Sequence, residues 1–394
     1  MIRLAILSLA FGAAIIVTTE FLPVGFLPDV AADLDISLGA AGALVLVPGL
    51  SAAIAAPLVI VGAGGLDRRR LIVALGLLVT VSNGLAAIAP SLPVVLAARV
   101  LLGVAIGGFW AAVPPLGFRL AGPERGTRAT SVILSGLSVG TVIGLPLGQF
   151  LGNLIGWRAT FAATAGAALL VAAAQAALLP RLPARGSMRF PDLGRVFGSS
   201  IARTTMLVGV VATIGQFAAS TFVTPFLLDE VHVRSGVATT LFLFYGAAGI
   251  VGTLVGSALV ARSKLWSFAG AAAAFGVLLA LAPALSEWPA AVGVVIVVWG
   301  LVWGLVPLAL QTLMMDATPD TPEASAAVLM SVLQLAIALG SALGGVLVDS
   351  AGVRTVFVVA GLTALVAALI AAARAIMPGH GVAATPARTA AGKR

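Results

Sequence analysis

The sequence predicts an all-α membrane protein with twelve transmembrane helices in two pseudo-symmetric six-helix bundles and both termini in the cytoplasm. Composition is the first reason. Of the 394 residues, 60% are hydrophobic and 9% charged, against about 25% charged in an ordinary soluble domain. That is too little charge to coat two or three water-soluble cores of this size. The second reason is a succession of apolar stretches of bilayer-spanning length, and the third is a set of features that recur at a constant offset.

A hydrocarbon core about 30 Å thick takes about 20 residues at 1.5 Å per residue. Stretches of that length, bounded by Pro, Gly or charge, run over 4–28, 38–61, 71–89, 93–118, 129–152 and 159–180, then 203–228, 236–261, 265–285, 289–315, 324–348 and 354–377. The first is expected to be a span and not a cleaved signal. Its apolar run is longer than a signal's core, holds Glu20 and leads straight into the next span. The chain therefore divides into an N-terminal bundle (1–180), a cytoplasmic linker (181–202), a C-terminal bundle (203–377) and a disordered cytoplasmic tail (378–394).

Orientation follows from the basic residues, which accumulate in cytoplasmic loops. With the amino terminus inside, eighteen of the 22 Lys and Arg fall inside; Arg158, Arg234 and Arg354 fall outside, and Arg99 lies within a span. The net charge of +8 thus records topology, and nucleic acid is not an expected partner. The basic linker, with Pro183, Gly186, Pro191 and Gly194, suits anionic lipid headgroups. Cysteine is absent and the histidines are His232 and His380, so thiol chemistry is excluded and no metal site or cofactor is expected.

At an offset of 196, Gly156-Trp157-Arg158-Ala159-Thr160-Phe161 falls on Gly352-Val353-Arg354-Thr355-Val356-Phe357. The same offset puts Gly144 and Gly148 on Gly340 and Gly344, and Glu20-Phe21 on Gln216-Phe217; one residue more puts Gly103 and Gly107 on Gly300 and Gly304. Two parallel six-span halves around a central site form a transporter architecture.

Two charges stand deep in spans, Glu20 in the first and Arg99 in the fourth. Facing lipid at mid-bilayer, each would cost about 2.5–3.5 kcal/mol, so both are expected to face protein or a wet cavity. Counted from the outer ends of their spans they lie at similar depth, about 12 and 9 Å. A structural ion pair is one reading; a carboxylate that switches charge with proton or substrate occupancy is the other.

Gly103 and Gly107 follow Arg99 at one-turn spacing and permit close helix contact. The fifth span carries Gly136, Gly140, Gly144, Gly148 and Gly152, a glycine ridge interrupted by Pro146, which invites a kink. Between the second and third spans, Asp67-Arg68-Arg69-Arg70 forms a basic turn that explains topology and could also latch the inner ends of neighbouring helices.

Together these pieces resemble the major facilitator superfamily over essentially the whole chain. Thr18-Thr19-Glu20-Phe21-Leu22-Pro23-Val24-Gly25-Phe26-Leu27-Pro28 is similar to the first span of the bacterial 12-span drug and sugar efflux branch, the drug:proton antiporters. The Arg99-to-glycine pattern is similar to that family's fourth-span motif associated with proton coupling, and Gly144-Leu145-Pro146-Leu147-Gly148 to its antiporter motif. Two departures stand out: no glycine separates Asp67 from the arginines, and Leu145 separates Gly144 from Pro146. The resemblance implies that spans 1, 4, 7 and 10 line a central cavity. On those spans Glu20, Trp110, Gln216, Ser220, Trp303 and Gln311 are the expected substrate-binding residues, with Glu20 and Arg99 coupling to protons. Trp110 lies 11 residues from Arg99, about 20° away around the helix.

Rival classes fit less well. Gly136-Leu137-Ser138-Val139-Gly140 matches the G-x-S-x-G pattern of hydrolases, but that elbow needs a strand-turn-helix and a nearby histidine. Neither Lys264 nor Lys393 sits in a phosphate-binding loop, so the energy source is a gradient and not ATP. A channel would need a ring of charges or carbonyls. The expectation is a monomeric alternating-access exporter in a bacterial cytoplasmic membrane, exchanging protons for a hydrophobic or amphipathic small molecule, with sugars or other polar metabolites as the alternative substrates.

Overall fold

A computed structural model describes residues 2–63, 65–113, 116–183, 190–318 and 322–376. The tail expected at 378–394 and residues 184–189 of the linker, with Arg185 and Arg189, lie outside the described residues. Among those described there is helix and no strand. The helices are α1 (Ile2–Gly25), α2 (Leu27–Asp33), α3 (Leu38–Gly62), α4 (Arg68–Ala87), α5 (Leu92–Ala112), α6 (Leu116–Leu178) and α7 (Phe190–Arg195). They continue with α8 (Ser200–Thr221), α9 (Val223–Pro225), α10 (Ser235–Arg262), α11 (Lys264–Leu281), α12 (Pro289–Trp303), α13 (Leu305–Ala317) and α14 (Pro322–Ile376).

Ten helices among the described residues are long and apolar enough to cross a membrane. Two of them, Glu124–Leu178 and Ala324–Ile376, run for 55 and 53 residues. At 1.5 Å per residue each would measure about 80 Å, more than twice the hydrocarbon core. Neither is continuous. Gly156 (φ 79°, ψ 159°) breaks α6 and Gly352 (φ 81°, ψ 164°) breaks α14. Only glycine enters that backbone region without strain, so one residue turns the chain between two long helices. The two glycines are 196 positions apart.

Expected and observed ends differ where local chemistry intervenes. The first span stops at Gly25 and restarts as the short α2, whose first turn holds Pro28. The fourth ends at Ala112, short of the expected 118. The seventh gives way after Thr221 to α9 and a π-type turn over Phe226–Glu230. The tenth is interrupted at Gly304, between α12 and α13.

The 196-residue offset reappears in the packing. Gly144 lies against Thr18 and Gly340 against Ile214; Gly148 faces the carbonyl of Leu22 and Gly344 that of Ala218. The 197-residue offset does the same: Gly103 and Gly107 face the carbonyls of Pro48 and Ala52, while Gly300 and Gly304 face those of Tyr245 and Gly249. Small residues thus bring α1 onto α6, α8 onto α14, α3 onto α5 and α10 onto α12. Contacts of α3 with α14 and of α6 with α10 then join the N-terminal helices to the C-terminal ones.

Apart from one at the centre, from Gln334 to Glu20, side-chain hydrogen bonds across that junction fall toward one end among the described residues. Thr224 donates to the carbonyl of Val24 (2.6 Å), and Ser341 to that of Gly42 (2.8 Å). Asp349 accepts from the Ser37 hydroxyl (2.5 Å) and the Gly39 amide (2.9 Å), at the start of α3. At the other end of the helices, Leu4, Leu7 and Phe11 of α1 and Leu207 of α8 are exposed.

Candidate functional site

The centre of the junction is occupied by matching positions of α1 and α8. Phe21 and Phe217, one offset apart, stack with ring centroids 5.8 Å apart. Beside them stand Glu20 and Gln216, each almost fully buried. Each is the hub of a different polar cluster.

In the first cluster, the Arg99 guanidinium is completely buried and held by three backbone carbonyls. Nε donates to Leu44 (2.9 Å), Nη1 to Thr19 (3.1 Å) and Nη2 to Glu20 (3.1 Å). The sequence places Arg99 and Glu20 at one depth, and they are neighbours. The contact, however, is to the Glu20 main chain, and no ion pair within 4 Å joins the two side chains among the described residues. The structural ion-pair reading therefore fails in this conformation. A planar fork of five donors explains why an arginine stands here, since it ties α5 to α1 and α3 at once.

Glu20 is 4% exposed, and among the described residues its carboxylate has one side-chain partner, Gln334 of α14, whose Nε2 donates to Oε1 at 3.3 Å. Gln334 is 6% exposed, and its own Oε1 is buried with no hydrogen-bond partner among the described residues. Nearby, Asn83 donates to the Thr19 hydroxyl (3.2 Å) and Ser82 to the carbonyl of Ala98 (2.6 Å), fastening α4 to α1 and α5. Asn83 Oδ1 is also buried and unpartnered.

In the second cluster both ends of the Gln216 amide are engaged. Nε2 donates to the Tyr245 hydroxyl (2.9 Å), and Oε1 accepts from Trp299 Nε1 (2.7 Å). Tyr245 and Trp299 also meet edge to face, with centroids 5.2 Å apart. This locks α8 to α10 and α12, with both the nitrogen and the oxygen of the Gln216 amide engaged in this conformation.

The other expected substrate residues are not gathered around Glu20. Trp110 is half-buried and packs edge to face on Phe109. Trp303 is half-buried and packs on Phe275 of α11, against the buried cluster. Ser220 is half-buried on α8, and Gln311 is exposed on α13.

The basic turn is a local fastening among the described residues. Asp67 caps α4, its Oδ1 accepting from the amides of Arg69 (2.9 Å) and Arg70 (3.4 Å), and its Oδ2 accepts from the amide of Leu182 (2.8 Å). Arg68 donates to the carbonyl of Ala63 (2.9 Å), Arg69 to that of Ala176, and Arg70 is exposed. The turn thus pins the start of α4 to the chain leaving α6. Pro146 lies within α6, in the glycine ridge against α1, and the Ser138 side chain lies outside the described residues.

Residues that the sequence reading passed over are Gln334, Asn83, Tyr245 and Trp299. Gln334 had a signal, as a polar amide inside an apolar span.

A bundle of membrane-crossing helices packed through matching glycine seams, with buried polar groups where the halves meet, defines a polytopic membrane carrier. The Major Facilitator Superfamily model matches residues 9–333, and the chain belongs to that family. It is accordingly a multi-pass membrane transporter and not an enzyme. The chain is 34% identical over 377 residues to the purine ribonucleoside efflux pump NepI of Escherichia coli O6:K15:H31, covering 95% of this chain and 94% of that one. It is 32% identical over 371 residues to the transcription regulatory protein OpdE of Pseudomonas aeruginosa, covering 93% and 92%. Among solved structures, it superposes on a bacterial homologue of the human lysosomal transporter Spinster, in an inward-facing and unoccupied conformation, with a TM-score of 0.71. That match has 14% identity and covers 94% of this chain and 95% of the other, so it speaks for the fold alone.

Proposed function

We propose that this transporter exports an amphipathic small molecule in exchange for protons, with Glu20 as the protonated group. The observation that carries the reading is the position of Glu20, a buried carboxylate at the meeting of the two halves whose side-chain partner among the described residues comes from the opposite half. A titratable group placed there changes the junction whenever its charge changes. Moving one charge across 100 mV is worth about 2.3 kcal/mol, so one proton could support a gradient of roughly fifty-fold.

Two substrate classes were expected, hydrophobic or amphipathic small molecules and, as the alternative, sugars or other polar metabolites. The efflux relatives favour a compound that combines both characters, and a purine nucleoside, with its flat base and hydroxylated sugar, is the first to test. Twelve spans result if the breaks at Gly156 and Gly352 each divide one of the ten long helices in two. An even count agrees with both termini in the cytoplasm, the side of the basic excess. The proposed units remain 1–180 and 203–377 with the linker 181–202 on anionic lipid, working as a monomer in a bacterial inner membrane. In that frame, the hydrogen bonds made by Thr224, Ser341 and Asp349 between the halves lie at the outer end, and the conformation is open to the cytoplasm.

The test uses purified protein in liposomes loaded with a pH-sensitive dye, under an imposed proton gradient, with nucleosides, cationic and neutral drugs, and simple sugars. Substrate-dependent proton movement that disappears in Glu20→Gln is the expected result. Uphill export at the wild-type rate in Glu20→Gln would overturn the assignment.

A further inference from the structure

The Glu20–Gln334 contact is half of a stronger one. A primary amide and a carboxylic acid pair through two hydrogen bonds, N–H to the acid's carbonyl and the acid's O–H to the amide's carbonyl. Here the first leg exists, from Gln334 Nε2 to Glu20 Oε1 at 3.3 Å. The acceptor of the second leg, Gln334 Oε1, is buried and has no donor among the described residues. A charged carboxylate offers only acceptors and cannot fill that vacancy; a proton on Oε2 of Glu20 would supply the missing donor. Gln334 belongs to α14 and Glu20 to α1, so the second bond would form between the halves.

We infer that Glu20 and Gln334 form a proton-operated clasp, closing with two hydrogen bonds when Glu20 is protonated and loosening to one when it is not. The inference rests on the reading of Glu20 as the proton site and adds a positioning residue and a direction. The clasp is made in the conformation whose halves are joined at the outer end by Thr224, Ser341 and Asp349. Protonation therefore favours closure of the outer side. For an antiporter this is the required sense: a proton taken from outside drives the empty carrier to open inward, and its release inside frees the carrier to return with substrate.

Few other groups act at this point. Among the described residues, the charged neighbour of Glu20 is Arg99 of α5, whose Nε, Nη1 and Nη2 donate to carbonyls. From α8 the neighbour on the next residue is Phe217, from α6 the ridge contributes Gly144, and from α4 come the uncharged Asn83 and Ser82.

The chain has no cysteine, so a spin-label pair can be placed cleanly. Ala32→Cys on α2 and Gly236→Cys on α10 are exposed positions near the outer ends of the two halves. The distance distribution is read in lipid nanodiscs at pH 8 and pH 5. One added hydrogen bond should raise the odds of the short, outer-closed distance by about three- to tenfold at pH 5. Glu20→Gln, which can pair amide to amide, should show the short distance at both pH values. Gln334→Met should make the distribution independent of pH.

A wild-type pH response retained in Gln334→Met, or a Glu20→Gln protein no more closed than wild type at pH 8, would overturn the clasp. Because the Glu20→Gln arm keeps Gln334, misfolding of Gln334→Met leaves the test intact. If liposomes show proton-coupled export lost in Glu20→Gln while the distances ignore pH, the clasp is wrong and the proton site stands. If neither assay responds, the proton site falls with it.

Discussion

Substituting alanine along the glycine ridge of α6 gives a graded test of how tightly α1 is held. A Cβ at Gly148 would sit 2.2 Å from the carbonyl oxygen of Leu22, whereas one at Gly144 would sit 3.2 Å from the Cα of Thr18. Ordinary contact begins near 3.4 Å, so Gly144→Ala needs a shift of about 0.2 Å and Gly148→Ala one of about 1.2 Å against rigid backbone. Overpacking of that second kind typically costs about 1–3 kcal/mol, while the shift of a few tenths of an ångström between α1 and α6 that Gly144→Ala asks for costs less. Gly344, the repeat partner of Gly148, meets the Ala218 carbonyl at 2.8 Å and should fall between. Thermal unfolding of the purified variants in detergent should therefore rank Gly148→Ala as least stable, then Gly344→Ala, then Gly144→Ala close to wild type. If Gly144→Ala proves as damaging as Gly148→Ala, close approach to α1 is not what these glycines provide.

Three other substitutions have defined outcomes. Arg99→Lys keeps the charge but loses the fork that reaches Leu44, Thr19 and Glu20, and it should cost about 2–4 kcal/mol with loss of transport, read by thermal unfolding and liposome flux. Wild-type stability would show that charge alone suffices. Gln216→Leu strands the Trp299 N–H, a buried donor, and should destabilise by about 1–3 kcal/mol; Gln216→Glu, which still accepts from Trp299, should lose less. Asp67→Ala removes the cap of α4 and its bond to Leu182, lowering stability by about 0.5–2 kcal/mol, while Asp67→Ser retains most of the cap.

Much of the architecture was legible in the sequence because a bilayer imposes it. Span lengths follow from hydrocarbon thickness, and the offset of 196 survives as matched glycines, since only residues without a side chain permit those helix contacts. Glu20 and Arg99 stood out because any charge in a span demands a reason. The nature of their contact was hidden, because Arg99 binds main-chain carbonyls that no inventory of side chains displays. Gln216 was expected to meet substrate, yet Tyr245 and Trp299 take both ends of its amide, and those partners come from helices remote in sequence. Trp303 shows the same limit: the resemblance placed it on a cavity-lining span, but its ring packs on Phe275 of α11. Gln334 was visible as a polar residue in an apolar stretch, but only packing of α14 against the other half reveals what it faces.

The single-glycine corners at Gly156 and Gly352 have a mechanical consequence. A joint one residue long keeps the ends of the two helices it connects close together, so neither can shift along its own axis at that corner without carrying the other's end with it. It also leaves almost no loop there, and hence little slack in which an inserted tag, a protease or an antibody could take hold without displacing a helix end.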